Sequence, residues 1–229
     1  MNKFLIEAKK VKKTFSHKNG QIHVFKDVNL SVKPGDLVAL VGPSGSGKSS
    51  FLHLLSLLDS PTSGQIIFLG KNSKNFSENQ KNQIRQKKIS IIFQDNNLLS
   101  DFTTVENVLM PLIIRGENYK TSLNKAKKVL KEVNLIDRTN HFPNELSGGE
   151  NQRIAIARAL INDPDIILAD EPTGSLDTDN AKLIFKILFN LKKKNRIIIF
   201  ATHNRYFANM ADCKIMMNDG NIQIINATT

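Results

Sequence analysis

One octapeptide constrains this chain more than anything else in it: Gly42-Pro43-Ser44-Gly45-Ser46-Gly47-Lys48-Ser49. It fits the pattern G-x-x-x-x-G-K-[ST], which functions as the turn between a strand and a helix. The flanks supply both. Asp36-Leu37-Val38-Ala39-Leu40-Val41 is almost continuously apolar, as suits a strand buried on both faces of a parallel sheet. Residues 48–58 carry Leu or Phe at most positions and run into Asp59-Ser60-Pro61, where proline cannot continue a helix. The glycines let backbone N–H groups turn inward around phosphate oxygens, and the following helix offers its positive end to the same anion. Lys48 is expected to pair with β- and γ-phosphates, and the Ser49 hydroxyl to coordinate Mg²⁺.

The remaining pattern gives the fold class. Short strands are expected at 4–10, 22–25 and 28–32, with a turn at Pro34-Gly35, and another strand at 65–69. From about residue 96 to 162 the pattern turns helical and more polar. Strand and helix then alternate again: a buried strand at 165–169, a helix at 179–191, a buried strand at 197–202. That alternation predicts an α/β core, with the helical stretch inserted between its two halves.

Two further segments carry chemistry. Ile166-Ile167-Leu168-Ala169-Asp170-Glu171 is an apolar strand ending in two carboxylates. Ligands of parallel sheets sit beyond the carboxyl ends of the strands, so both groups belong at the same rim as the glycine loop. Asp170 suits the Mg²⁺ shell through water, and Glu171 suits a water facing the γ-phosphate. Alone, the pair would equally read as an acidic strand end facing solvent. Leu146-Ser147-Gly148-Gly149-Glu150 opens a helix that stops at Asp163-Pro164. Ser147 there is either a helix cap or part of a second anion site reached past the two glycines.

Composition narrows the partners. Lys and Arg number 32 against 21 Asp and Glu, a net charge of +11. The lysines are scattered, and with no Trp and two Tyr the stacking platforms of a single-strand binder are thin, so no direct contact with nucleic acid is expected. The lone cysteine, Cys213, excludes an internal disulfide and a cysteine-rich zinc site; it reads as a small buried hydrophobe. No apolar run reaches the ~18–20 residues that cross a bilayer, and the first residues carry no secretory signal, so a cytosolic location is expected.

Taken in order, these motifs resemble the ATP-binding subunits of ABC transporters over essentially the whole chain. Gly42 to Ser49 is similar to their Walker A motif, residues 146–150 to their signature motif, and residues 166–171 to Walker B with its catalytic glutamate. Gln94 after Ile91-Ile92-Phe93 resembles the Q-loop, Ser175-Leu176-Asp177 the D-loop, and His203 after residues 198–202 the switch histidine. Phe15 sits where the family places an aromatic, commonly Tyr, that stacks on adenine; Ser50 and Asn151 stand where Thr and a basic residue are common.

The resemblance implies a P-loop NTPase (RecA-like) core with an antiparallel β subdomain and an inserted α-helical subdomain. One domain would fill residues 1–229, with the core at 1–94 and 165–229 and the helical part at 95–164. It implies ATP with Mg²⁺, and two copies packed head to tail, with each nucleotide between one copy's Walker A and the other's signature loop. Ser147, Gly148 and Gly149 would then meet the γ-phosphate in trans, and Asp177 would belong to the same binding set. His203 would contact the γ-phosphate, and Gln94 the Mg²⁺ or the attacking water. A finer resemblance is to the subclass holding lipoprotein-release and MacB-like ATPases, carried by residues 52–55, 59–64, 98–103, 106–112, 144–145 and 169–174. Residues 98–112 favour lipoprotein release from the bacterial inner membrane toward a periplasmic carrier. MacB-like export or cell division is the alternative, and a soluble ATPase acting on nucleic acid or ribosomes a more distant one. The expected partners are integral membrane permease subunits, met through residues 94–110, which would hold the chain at the cytoplasmic face of the inner membrane.

Overall fold

The computed structural model describes residues 5–17, 20–192, 195–218 and 221–226. The chain opens with two long strands, β1 (Ile6–His17) and β2 (Gly20–Val32), followed by β3 (Leu37–Val41) and α1 (Lys48–Leu55). Next come β4 (Ser63–Phe68), β5 (Lys71–Asn72), α2 (Glu78–Lys87) and β6 (Ile89–Ile92). Three helices follow: α3 (Thr104–Ile114), α4 (Tyr119–Glu132) and α5 (Gly148–Leu160). The last part is β7 (Ile166–Asp170), α6 (Thr178–Lys192), β8 (Ile197–Thr202), α7 (Arg205–Ala208), β9 (Cys213–Asn218) and β10 (Asn221–Asn226).

Among the described residues the strands form two sheets. The smaller, ordered β2-β1-β4-β5, is antiparallel. The larger is ordered β10-β9-β3-β8-β7-β6 and is parallel except for its edge strand β10. Successive side chains of a strand point to opposite faces, and here both faces are buried. Leu37 and Ala39 join Ile167, Ala169, Ile198 and Phe200 in the core shared with the helices. Val38 and Leu40 join Leu168, Ile197 and Ile199 in the core shared with α1 and the antiparallel sheet. This explains the unbroken apolar runs of β3, β7 and β8. Helices α3, α4 and α5 pack on one another, and α5 carries them onto β6 and α6.

The structure differs from the sequence expectation in several places: the strands expected at 22–25 and 28–32 are the single strand β2, and the one expected at 4–10 runs on to His17 as β1, because the two pair with each other along their length. Helix α1 ends at Leu55, earlier than its apolar pattern suggests, because Leu57 takes a left-handed backbone (φ +60°) and turns its buried side chain into the core. Helix α2 was not expected: it has no buried residue, and Ser77 and Gln80 start it with a reciprocal capping box. Cys213 is half-buried rather than fully enclosed, with burial, then Asp36 and Asp212, pushing its thiol pKa up.

Candidate nucleotide site

The glycine loop spans the gap from β3 to α1, and close contacts account for its composition. A Cβ on Gly42 would lie 2.1 Å from the main-chain oxygen of Met217, and one on Gly47 would lie 2.5 Å from Cγ1 of Val24. Gly47 and Gly45 also take left-handed backbones, φ +94° and +78°, and the space over Gly45 is open. Lys48 is buried, and its ammonium donates to the carbonyls of Gly42 (3.0 Å) and Pro43 (2.9 Å). The Ser46 hydroxyl is buried without a hydrogen-bond partner.

The first N–H groups of a helix have no intrahelical acceptor. Helices α2, α3 and α5 meet this with capping boxes, and each also carries an acidic residue in its first turn. Helix α1 has no side-chain cap and no acidic residue there. Its positive end is therefore left to an external anion.

A cleft of about 410 Å³ opens in front of this loop. The loop and α1 contribute Ser44, Gly45, Gly47, Lys48, Ser49 and Ser50. Asp170 and Glu171 arrive from the end of β7, His203 from beyond β8, and Gln94 from beyond β6. All stand at the carboxyl ends of parallel strands, as the topology requires. Glu171 adopts a left-handed backbone (φ +44°), uncommon for a residue with a side chain, and is held there by its N–H to Ala201 O (3.1 Å) and by Gly174 N–H to its own carbonyl (3.0 Å). Its Oε2 is buried and accepts no hydrogen bond. His203 Nδ1 lies 3.0 Å away, close enough for an ion pair when protonated but out of line for a hydrogen bond. That oxygen is left with its hydrogen-bonding capacity unused.

The metal-binding chemistry also fits. No cluster of three or more His, Cys, Asp and Glu that could hold a metal occurs among the described residues. The cleft instead brings together a hydroxyl (Ser49), a carboxylate (Asp170) and an amide oxygen (Gln94). Mg²⁺ shared with phosphates asks for few protein oxygens and keeps several waters.

Other expected site residues stand outside this cleft. Pro43 and Ser46 line an adjoining pocket with Ile22 and His23. Phe15 stands opposite Ile22 across the β1–β2 pair and is 42% exposed, with the Lys13 ammonium 4.6 Å from its ring centroid and held by Asp59 at 2.6 Å. Ser147, Gly148 and Gly149 lie at the start of α5 and do not line the cleft of their own chain. Ser147 Oγ accepts from Glu150 N–H (3.2 Å), while the Glu150 carboxylate takes the Ser147 N–H (2.9 Å) and Arg138 Nε (3.0 Å). Chiefly through that Ser147 N–H, then Arg138, the Glu150 pKa falls to about 2. Space around Gly148 is open, whereas a Cβ on Gly149 would meet Asn180 Oδ1 at 2.5 Å. Asp177 caps α6, its Oδ1 accepting from the N–H groups of Asp179 (3.0 Å) and Asn180 (2.9 Å), and these bonds together with the Asn180 amide hold its pKa down.

Sequence reasoning missed the residues that brace these segments. Both terminal nitrogens of Arg158 donate at 2.7 Å to the carbonyls of Asn96 and Asn97, tying α5 to the loop that follows Gln94. The buried Asn107 amide binds the Leu99 N–H (2.8 Å) and the carbonyls of Leu99 (3.0 Å), Phe102 (2.9 Å) and Thr103 (3.1 Å). Asn151 Nδ2 donates to Pro143 O (2.9 Å), fixing the turn before the α5 cap. A charged or amide side chain bonded to backbone leaves no periodic trace in sequence.

Comparison with known proteins agrees with this geometry. Residues 25–174 match the family model described as ABC transporter. The chain is 41% identical over 219 residues to "Lipoprotein-releasing system ATP-binding protein LolD" of Syntrophus aciditrophicus, covering 95% of this chain and 98% of the relative. It is 42% identical over 217 residues to the protein of the same name from Cytophaga hutchinsonii, covering 94% and 97%. Its fold superposes with a TM-score of 0.89, at 36% identity and with 96% and 98% coverage, on a dimeric post-hydrolysis structure of the ATP-binding cassette MJ0796 bound to ADP and Pi. The glycine loop, the carboxylates facing it across the cleft and these likenesses agree: this chain belongs to the ABC transporter family.

Proposed function

We propose that this chain is the ATP-hydrolysing subunit of an ABC transporter that releases lipoproteins from the bacterial inner membrane. The observation that carries the hydrolytic part is the pairing, across one cleft, of the anion-ready loop with a buried Glu171 oxygen that accepts no hydrogen bond. The two relatives that bear the name of a lipoprotein-releasing system support the transport part.

In this reading the loop N–H groups from Gly42 to Gly47, with Lys48, grip the β- and γ-phosphates, and Ser44, Ser46, Ser49 and Ser50 complete the cradle. Phe15 stacks on adenine. Glu171 orients the attacking water and accepts its proton as oxygen adds to the γ-phosphorus and the bond to the β-phosphate oxygen breaks. His203 donates to the γ-phosphate. Ser49, Asp170 and Gln94 would hold Mg²⁺, which supplies charge neutralisation on the phosphates.

The start of α5, with open space over Gly148, lines no part of the cleft of its own chain, and this supports completion of the site by a second copy packed head to tail. Ser147, Gly148 and Gly149 of one copy would then meet the γ-phosphate held by the other, with Asp177 at the seam. Residues 1–94 and 165–229 would act as the nucleotide-binding core of one domain and residues 95–164 as its helical part.

No described helix is long and apolar enough to cross a membrane. Attachment to the cytoplasmic face would run through permease subunits that meet residues 94–110. Leu99, 43% exposed in that stretch, is the better contact candidate than Leu98, which packs against the core. The test is reconstitution of the full chain with its co-purifying membrane protein in vesicles carrying a lipidated protein. ATP should drive transfer of that protein to a soluble acceptor, and Leu99→Glu should stop the transfer while phosphate release by the chain continues. ATP-independent transfer, or phosphate release lost in Leu99→Glu, would contradict the assignment.

A further inference from the structure

The side chain of Asn180 is held on three sides. In the first turn of α6, its main-chain N–H and its Nδ2 donate to the two carboxylate oxygens of Asp177, at 2.9 and 2.6 Å. Its Oδ1 accepts from Arg153 Nη1 of α5 at 3.2 Å. Its amide fills the space where Gly149 lacks a side chain; a Cβ there would lie 2.5 Å from Oδ1 and 3.0 Å from Nδ2. Only a short amide meets all three demands. A carboxylate could not donate to Asp177, an aliphatic side chain could make neither bond, and a longer one would strike Gly149.

A run of tight turns continues from there. Ala181 N–H bonds Asp177 O (2.9 Å), Leu176 N–H bonds Thr173 O (3.2 Å), and Gly174 N–H bonds Glu171 O (3.0 Å). The start of α5 is thus joined to the segment bearing Glu171 by short contacts throughout. We infer that Asn180 is a positioning residue that locks the Ser147–Gly149 turn of α5 to Asp177 and, through the turns between them, sets the placement of the Glu171 carboxylate in its own chain. The inference rests on the hydrolytic function proposed above and adds a physical connection between the α5 turn and the carboxylate that faces the attacking water.

Because coupling through contacts must be shown by coupling energies, the test is a double-mutant cycle. Phosphate release by the full chain is measured against Mg-ATP concentration for wild type, Asn180→Ala, Arg153→Ala and the double variant. Asn180→Ala should lower kcat about tenfold, the rate factor of one lost hydrogen bond. The half-saturating ATP concentration should stay within about twofold, and the double variant should be little slower than Asn180→Ala. Asn180→Asp keeps size and the acceptor for Arg153, so it should fold normally and still lose rate, because its carboxylate faces that of Asp177. Unchanged kcat in both Asn180 variants, a loss carried by KM, or losses that multiply in the double variant would overturn the inference while leaving the hydrolytic function intact. A wild-type chain that releases no phosphate would overturn both.

Discussion

Oε2 of Glu171, buried and accepting no hydrogen bond, faces Nδ1 of His203 at 3.0 Å across the mouth of the cleft. The carboxylate is aimed by a left-handed backbone that a residue with a side chain rarely takes. Replacing the carboxylate by an amide of the same shape removes the proton acceptor and little else. Glu171→Gln should lower the rate of phosphate release by about 10²–10⁴-fold and leave nucleotide binding near wild type. Single-turnover assays beside equilibrium binding separate the two effects.

Lys48 brings a buried positive charge to the floor of the loop, held by two carbonyls. Lys48→Ala should weaken ATP binding about 10- to 100-fold, the range of a lost charge-assisted hydrogen bond. AMP, which lacks the β- and γ-phosphates, should bind the variant and the wild type alike. Isothermal titration with both ligands checks this.

Asn107 is a structural staple, with four bonds from one buried amide to the backbone of residues 99–103. Asn107→Leu leaves buried carbonyls and an N–H without partners and should cost about 2–4 kcal/mol. Urea denaturation at constant slope should show the lower midpoint.

The depressed pKa of Glu150, about 2, makes the α5 cap sensitive to acid. A carboxylate whose folded pKa lies below its unfolded value near 4.5 contributes stability that is complete above the unfolded value. That contribution drains as pH falls from about 4.5 toward 2. The melting temperature of wild type should therefore exceed that of Glu150→Gln at neutral pH, and the gap should shrink through this window.

Much of this was legible in the sequence because it is written in short-range terms. The apolar runs of β3, β7 and β8 reflect burial on both faces, and the glycine loop between β3 and α1 carries its own chemistry. Helix α2 was illegible because its capping box, not an apolar face, defines it. The two signature glycines were read alike, yet only Gly148 faces open space; Gly149 makes room for Asn180, 31 positions further on, a contact that local pattern cannot encode. The braces from Arg158 and Asn107 were missed for the same reason: they bond to backbone.

In the proposed dimer, a nucleotide held by one copy is closed over by a second. The decisive measurement is light scattering of the Glu171→Gln chain with ATP and Mg²⁺. The expected mass is about twice that of one chain, reverting to a single chain when Ser147→Glu is added to block the α5 turn. A mass that stays at one chain with ATP, or a doubling indifferent to Ser147, would contradict that dimer.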